Sequence, residues 1–413
     1  MNYRPISLIS VVGKCMERCV YKHIYNYLLI HILITCHQSG FTPGDSAINQ
    51  LLYLTNEFGK ALDDGKEIRV IFCDISRAFD RVWHRGLLHK LESIGIGGPL
   101  LMWLASYLQD RKQRVVINNS FSDWKNINAG VPQGSILGPL LFLIFINDIV
   151  DDIQSTVKLF ADDTSLYLIV DEPNTAVETL NNDLSKIHTW SKQWLVSFNP
   201  NKTETMTLSR KLNKPVHQPL LMDNTQISTV SEHKHLGVVL SDNGGWQNHI
   251  DLVCKKAYNR INILCKFKFI LDRETLEKMY LVFIRPILEY ADVVWDTPTQ
   301  ILVHKLKSLQ IEAARIVTEG TRLVSIENLY LETGWERLKD RRETHKLTYF
   351  YKMSNSLTPQ YLCNLVPRNL GNIHGRNTRN AQLIPPLRTR TSFYSKYFLS
   401  VNHTLVQQLA SKY

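Results

Sequence analysis

Residues 13–35 place Met16, Val20, Ile24 and Leu28 on one helical face, so this stretch is predicted to be an amphipathic helix. Residues 38–46 are rich in Gly, Pro and Ser and read as a loop before a second helix through Leu51, Leu52 and Leu54. The period then changes to two. Ile68, Val70 and Phe72 alternate up to Asp74, which predicts a buried strand with a carboxylate at its C-terminal end. Residues 86–108 read as helix interrupted at 95–99, and residues 114–117 and 124–129 read as short strands. The tight loop 130–135 leads into an apolar helix over about 137–149. Two apolar runs around Ala161-Asp162-Asp163-Thr164 predict a hairpin over 157–170. An amphipathic helix over 174–195, a turn at Asn199-Pro200-Asn201 and a strand over 204–208 follow. Beyond about residue 240 the pattern is helical, with one face through Ile250, Val253, Ala257, Ile261 and Leu264 and another through Leu306, Leu309, Ala313 and Ile316. From about 367 the chain is rich in Pro, Asn and Arg and less regular. These signals together predict an α+β region followed by a helical one.

Composition sharpens this picture. With 44% hydrophobic and 21% charged residues, the 413-residue chain is globular and large enough for two or three domains. The net charge of +10 is uneven: residues 1–245 carry 23 Lys+Arg against 24 Asp+Glu, and residues 246–413 carry 25 against 14. After Glu343 there are nine basic and no acidic residues. Such a region attracts polyanions, of which nucleic-acid backbones are the commonest, although a merely solvated basic surface has the same composition. Seven scattered cysteines without a CxxC pair argue against a disulfide framework or zinc site and point to a reducing, intracellular compartment, nuclear or cytoplasmic. No signal peptide is visible at the start of this sequence. The apolar run at 25–34 is about half the ~20 residues of a membrane span and contains His31, so it reads as a buried helix. The chain opens directly into Asn2-Tyr3-Arg4-Pro5, as a fragment of something longer would.

Three carboxylates carry the candidate chemistry. Asp74 ends a hydrophobic strand, and Asp162 and Asp163 sit at the tip of a hydrophobic hairpin. Carboxylates so placed are costly without a partner, and a hard divalent cation with oxygen ligands is a suitable one. A pair of ions about 3.5–4 Å apart clamps the attacking and leaving oxygens of phosphoryl displacement. A lone Asp-Asp is explained as well by a polar turn; the surrounding motifs decide the matter.

Phe160-Ala161-Asp162-Asp163 resembles the Y/F-x-D-D signature of reverse transcriptases. Residues 72–80 (FCDISRAFD) resemble their first catalytic motif, and residues 130–138 (GVPQGSILG) the motif between the two. Residues 2–10 (NYRPISLIS) and 38–45 (QSGFTPGD) resemble fingers motifs of the jockey-like, non-LTR retrotransposon group. Residues 199–203 (NPNKT) and His235-Leu236-Gly237 extend the match, in the family's order, over nearly the whole chain.

The resemblance implies a right-hand polymerase fold with fingers, a palm of antiparallel sheet backed by helices, and a helical thumb. Fingers would occupy residues 1–67, the palm with portions of the fingers 68–240, the thumb 241–330 and a basic C-terminal region 331–413. It implies an RNA-directed DNA polymerase using two Mg²⁺ (or Mn²⁺) ions to transfer nucleotides from dNTPs to a primer 3′-hydroxyl. Asp74 and Asp162 would be the principal metal ligands, with Asp163 essential beside them and the Ile75 carbonyl assisting. Phe79 matches the steric gate that selects deoxynucleotides, and also reads as a core aromatic. Gln133 and Gly134 match the loop beside the incoming nucleotide. Lys202 matches a general acid toward pyrophosphate, Arg4 a triphosphate contact, and His235, Leu236 and Gly237 the primer grip. The implied partners are an RNA template, a DNA primer or target DNA, their RNA–DNA hybrid and dNTPs, with no membrane. Lys255, Lys256, Arg260, Lys266 and Lys268 would track the hybrid backbone, as would the basic cluster at 337–342.

The chain departs from this pattern at Thr42, where many relatives carry Arg, and at Arg77, where Lys is usual. It lacks the endonuclease of full-length elements and the Cys/His knuckle of some relatives. Val401-Asn402-His403 stands where others end in Trp-Asn-x-Leu-Pro. A truncated, inactive relic that still binds nucleic acid is therefore the rival reading, although all three aspartates are retained. An adaptor protein would leave those aspartates unexplained.

Overall fold

The seven residues of the alternating run 67–73 are buried on both faces, which makes them a central strand. The structure, a computed structural model, describes residues 6–213, 215–296, 299–367, 388–396 and 398–399. Arg4 and Val401-Asn402-His403 lie outside the described residues. In chain order, α1 (Val11–Ile30) and α2 (Ala47–Asp63) precede the strand β1 (Glu67–Cys73), and α3 (His84–Ser93) and α4 (Gly98–Leu108) follow it. Four short strands come next: β2 (Lys112–Gln113), β3 (Val116–Ile117), β4 (Ser120–Phe121) and β5 (Lys125–Asn126). Then come α5 (Leu137–Ile146), the hairpin β6 (Thr156–Phe160) and β7 (Asp163–Val170), α6 (Pro173–Gln193) and β8 (Glu204–Leu208). The strands β9 (Leu221–Met222), β10 (Thr225–Gln226), β11 (Ser228–Thr229), β12 (Glu232–His235) and β13 (Val238–Ser241) lead to the helical part. That part contains α7 (Gln247–Phe267), α8 (Arg273–Met279), α9 (Arg285–Glu289), α10 (Asp292–Trp295), α11 (Gln300–Val317), α12 (Ile326–Thr333) and α13 (Leu338–Ser354).

These elements form two units. The first comprises residues 1–46, 69–207 and 215–230; the second comprises residues 47–68, 208–214 and 231–413.

The first unit is built on a five-stranded sheet of order β11-β8-β1-β7-β6, antiparallel at the β6–β7 hairpin and parallel at the edge pair β8–β11. Nine of the ten residues of α5 are buried, so this helix is apolar all round and central to the core, as its sequence requires. Leu28 of α1, Leu87 and Leu91 of α3, Leu104 and Leu108 of α4, and Leu180, Leu184 and Ile187 of α6 pack into the same cluster as α5 and the sheet. The α1 helix departs from its predicted face. Ile24 and Leu28 are buried but Met16 is exposed, and Glu17 is buried in its place. Glu17 Oε2 accepts hydrogen bonds from the Ile136 and Leu137 N–H groups, and Oε1 accepts one from the Tyr107 hydroxyl. A carboxylate satisfying N–H groups at the start of α5 is favourable on both hydrogen-bond and dipole grounds, and this holds it inside.

The described residues of the second unit are mostly helical, with the β12–β13 hairpin among them. All five residues predicted to face inward on α7, and all four on α11, are buried. Trp295 and Tyr280 are wholly inaccessible, and the Tyr280 ring stacks on Trp335 with centroids 3.9 Å apart. Much of the basic cluster at 337–342 serves this packing. Arg342 is 2% exposed and pairs with Asp296 at 2.8 Å, while Arg341 pairs with Glu289 and Glu336. No helix among the described residues is long and apolar enough to cross a membrane.

Candidate active site

Asp74 immediately follows β1, and the NPNKT segment fixes its backbone. The Asp74 carbonyl accepts from Asn199 N–H at 3.0 Å, and Ser76 N–H donates to the Ser197 carbonyl at 2.9 Å. Ile75 and Phe198 face each other between these bonds as an isolated antiparallel bridge. In such a pair the flanking residues make the hydrogen bonds, so Ile75's own N–H and C=O point to the opposite edge of the strand. Thr203, fully buried, also offers its hydroxyl to Asp74 N–H at 3.5 Å. Lys202 Nζ lies 3.8 Å from Asp74 Oδ2, with both side chains about half exposed. The NPNKT motif thus supplies both a support and a cation beside the carboxylate.

Asp162 and Asp163 sit on the neighbouring hairpin, and its strand β7 lies directly beside β1. Phe160 pairs with Asp163, leaving Ala161-Asp162 as a two-residue loop. Ala161 has φ +56°, in the left-handed region where a Cβ is unfavourable and glycine is usual. The loop is held by a residue 123 positions away: Gln38 Oε1 accepts from Ala161 N–H at 2.9 Å and from Gly40 N–H at 2.8 Å. Ser39 N–H donates to the Leu159 carbonyl, and Leu159 N–H donates to that of His37. A Cβ on Gly40 would lie 2.4 Å from the Ala161 nitrogen, so only glycine permits this approach. The QSG segment is therefore a clamp on the aspartate-bearing turn. The sequence singled out the motif, but its contact with the hairpin joins two distant segments and leaves no local signal.

The DISRAFD and GVPQGS motifs are interlocked. Val131 N–H donates to the Phe79 carbonyl, and Gln133 Nε2 donates to Asp80 Oδ1 at 2.7 Å. The Phe79 ring stacks on Phe142 at 4.4 Å and meets Phe41 edge-on at 5.9 Å, which fixes a half-buried ring. Gly134 has φ +93°, and its Cα faces Ile6 and Ser7; Ser7 N–H donates to the Gln133 carbonyl at 2.8 Å.

His235, Leu236 and Gly237 belong to the second unit, where Leu236 (φ +45°) and Gly237 (φ +89°) form the two-residue turn of β12–β13. Tyr290, which the sequence did not single out, donates its hydroxyl to the Leu236 carbonyl at 2.8 Å. Burial drives the His235 imidazole down to about 3, with His233 contributing, so it is neutral at physiological pH. Lys255, Lys256, Arg260 and Lys266 are exposed on α7.

Among the described residues no three His, Cys, Asp or Glu side chains cluster closely enough to enclose an ion. The donor set around Asp74 and the hairpin is carboxylate oxygen, with the nearby Cys73 thiol pushed by burial up to about 12 and so no thiolate. One or two carboxylates are what a protein contributes to Mg²⁺ that is shared with substrate phosphates. The side chains of Asp74, Asp162 and Asp163 are of the oxygen-donor type that such a site would use.

A model of the reverse transcriptase (RNA-dependent DNA polymerase) family matches residues 1–240. A probable RNA-directed DNA polymerase from transposon BS of Drosophila melanogaster is 29% identical over 84% of this chain and 40% of its own length. The RNA-directed DNA polymerase from mobile element jockey of Drosophila funebris is 29% identical over 77% of this chain and 36% of its own. The chain thus spans about 40% of the length of these relatives. The solved apo telomerase from Candida tropicalis superposes with a TM-score of 0.40 at 10% identity, covering 77% of this chain and 59% of that one. The jockey-like resemblance read from the motifs is borne out by these relatives.

Proposed function

Because this chain belongs to the reverse transcriptase (RNA-dependent DNA polymerase) family, with its right-hand α+β polymerase fold, we propose that it copies an RNA template into DNA by nucleotidyl transfer to a primer 3′-hydroxyl. The observation that carries the reading is the pairing of Asp74, seated at the end of β1, with the clamped Asp162-Asp163 hairpin on the adjacent strand of the same sheet. In this reading Asp74 and Asp162 hold two Mg²⁺ ions, Asp163 supports them, and the Ile75 carbonyl, turned away from Phe198, adds a neutral oxygen ligand. When bound, such ions supply activation of the attacking hydroxyl and neutralisation of the triphosphate and departing pyrophosphate.

The chain's own residues position the reactants. The Phe79 ring is braced by Phe142 and Phe41, which supports its reading as a steric gate that would clash with a 2′-hydroxyl and favour dNTPs. Gln133 is oriented by Asp80, and Gly134, at positive φ and packed against Ile6 and Ser7, shapes the loop proposed to lie beside the incoming nucleotide and template base. Lys202, held beside Asp74, is the group that would protonate pyrophosphate. The turn His235-Leu236-Gly237, braced by Tyr290, is the primer grip. Exposed cations of α7 hold the hybrid by its backbone. By its likeness to mobile-element polymerases, the chain acts at a nicked DNA target that supplies the primer.

The test is primer extension on poly(rA)/oligo(dT) with Mg²⁺ and dTTP, beside an Asp162→Asn variant. Extension by the wild type, lost by about 10²–10³-fold in the variant on the scale of a removed transition-state charge stabiliser, is the expected result. Unchanged extension in the variant would overturn the metal assignment. Retained hybrid binding with no extension by either protein would mark a chain that holds nucleic acid without copying it.

A further inference from the structure

Between α4 and the Gly130 loop, residues 111–127 form a ribbon. The strands β2 and β5 pair antiparallel, with Gln113 opposite Lys125, and β3 and β4 pair beyond them, with Val116 opposite Phe121. The turn is Asn118-Asn119, both at positive φ, the two-residue geometry that suits a twisted hairpin. Every residue from Lys112 to Asn126 is exposed. Five of them are large and apolar: Val115, Val116, Ile117, Phe121 and Trp124. A two-stranded ribbon exposed on both faces is marginal by itself, and so many outward apolar groups mark a contact surface.

The chemistry of that surface is specific. The Arg114 guanidinium stands over the Phe121 ring at 4.4 Å and over the Trp124 ring at 4.6 Å, and both residues are 58% exposed. This prebuilt stack of aromatic and guanidinium planes presents open faces to solvent. Arg111, Lys112, Arg114 and Lys125 outnumber the acidic Asp110 and Asp123. Flat, sequence-tolerant stacking faces interleaved with cations suit unpaired bases on a phosphate backbone. The root of the ribbon is fixed near the Gln133–Gly134 loop. Ile127 N–H donates to the Arg111 carbonyl at 2.8 Å, Arg111 Nη2 donates to Ser7 Oγ at 3.0 Å, and Ser7 N–H donates to the Gln133 carbonyl at 2.8 Å. A strand lying on the ribbon is thereby led toward Gln133.

We propose that the 111–127 ribbon is a binding site for single-stranded nucleic acid, with Phe121, Arg114 and Trp124 stacking on unpaired bases and Lys112 and Lys125 meeting phosphates. Its identification as the still-uncopied template rests on the polymerase reading; the site itself does not. The test is fluorescence anisotropy in Mg²⁺-free buffer on two hybrids, one blunt and one with a 5′ oligo(U) template overhang. The wild type is expected to prefer the overhang by about tenfold, the scale of one stacked base. A Phe121→Ala/Trp124→Ala variant should bind both hybrids alike, with blunt-hybrid affinity unchanged. Phe121→Tyr/Trp124→Phe, which keeps the ring faces, should keep the preference and serves as the control for folding. No preference in the wild type, or an undiminished preference in the alanine variant, would overturn the proposal. So would concentration-dependent self-association abolished by the alanine variant, which would make the ribbon an interface between copies. Because no catalysis is required, a protein that fails primer extension yet keeps the overhang preference defeats the polymerase reading alone.

Discussion

Ala161 shows what a single position costs and what offsets it. A non-glycine residue at positive φ carries a penalty of about 1–2 kcal/mol, and here it sits directly before Asp162. The buried Gln38 amide oxygen binds the Ala161 N–H and so selects this backbone state. Asp74 and Asp162 were legible in the sequence as candidates only through the motifs around them, since an Asp-Asp alone reads as well as a polar turn. Gln38 was not, because an ordinary polar side chain becomes a support only through a contact that folding creates. Gln38→Ala should therefore lower the melting temperature by several degrees, the effect of losing a buried hydrogen bond worth about 1–3 kcal/mol. Adding Ala161→Gly, which removes the strain the clamp opposes, should recover part of that loss. If the two substitutions were simply additive, with no recovery in thermal melts, the clamp would not act on the Ala161 turn.

Elements were read from periodicity with good fidelity where one face meets one core, as in α7 and α11, whose inward residues are all buried. They were read less well where a polar group takes a core position. The face of α1 was misassigned at Met16 because Glu17 goes inside to serve α5, and no pattern of apolar residues announces that. The β12–β13 hairpin carries a similar hidden constraint. His249 Nδ1 accepts the Val239 N–H at 3.2 Å, and burial lowers this imidazole to about 4 and that of His235 to about 3. The unfolded chain binds protons at both rings near pH 6.5, whereas the folded chain refuses them until far lower pH. Stability at these two sites is thus fully present above pH 6.5 and is lost as pH falls toward 4 and then 3, by about 1.4 kcal/mol per ring for each pH unit. Urea unfolding at pH 7.5 and pH 5.5 should show the second unit weakening. His249→Gln should remove close to one proton from the pH slope; an unaltered slope would show that this imidazole is not the sensor.

At the scale of the whole chain, the charge asymmetry read along the sequence becomes an asymmetry between units. The sequence segments of the first unit hold 17 Lys+Arg against 18 Asp+Glu, and those of the second hold 31 against 20. The near-neutral unit contains Asp74, Asp162 and Asp163, and Lys202 Nζ stands 3.8 Å from Asp74 Oδ2. The basic unit presents Lys255, Lys256, Arg260 and Lys266 outward on α7. The sequence alone could not divide its cations this way. It weighted the cluster at 337–342 and that on α7 equally, yet Arg341 and Arg342 are consumed by Glu289 and Asp296 while the α7 cations are not buried. Hybrid binding should accordingly weaken with salt, each neutralised phosphate contributing roughly 0.7–0.9 to the slope of log K against log salt. Lys255→Ala/Lys256→Ala/Arg260→Ala should flatten that slope by about two to three contacts. Asp162→Asn, measured without Mg²⁺, should leave it unchanged. A slope indifferent to the α7 substitutions would move the hybrid's electrostatic anchor elsewhere, since charge that touches phosphate cannot be removed without releasing fewer counterions.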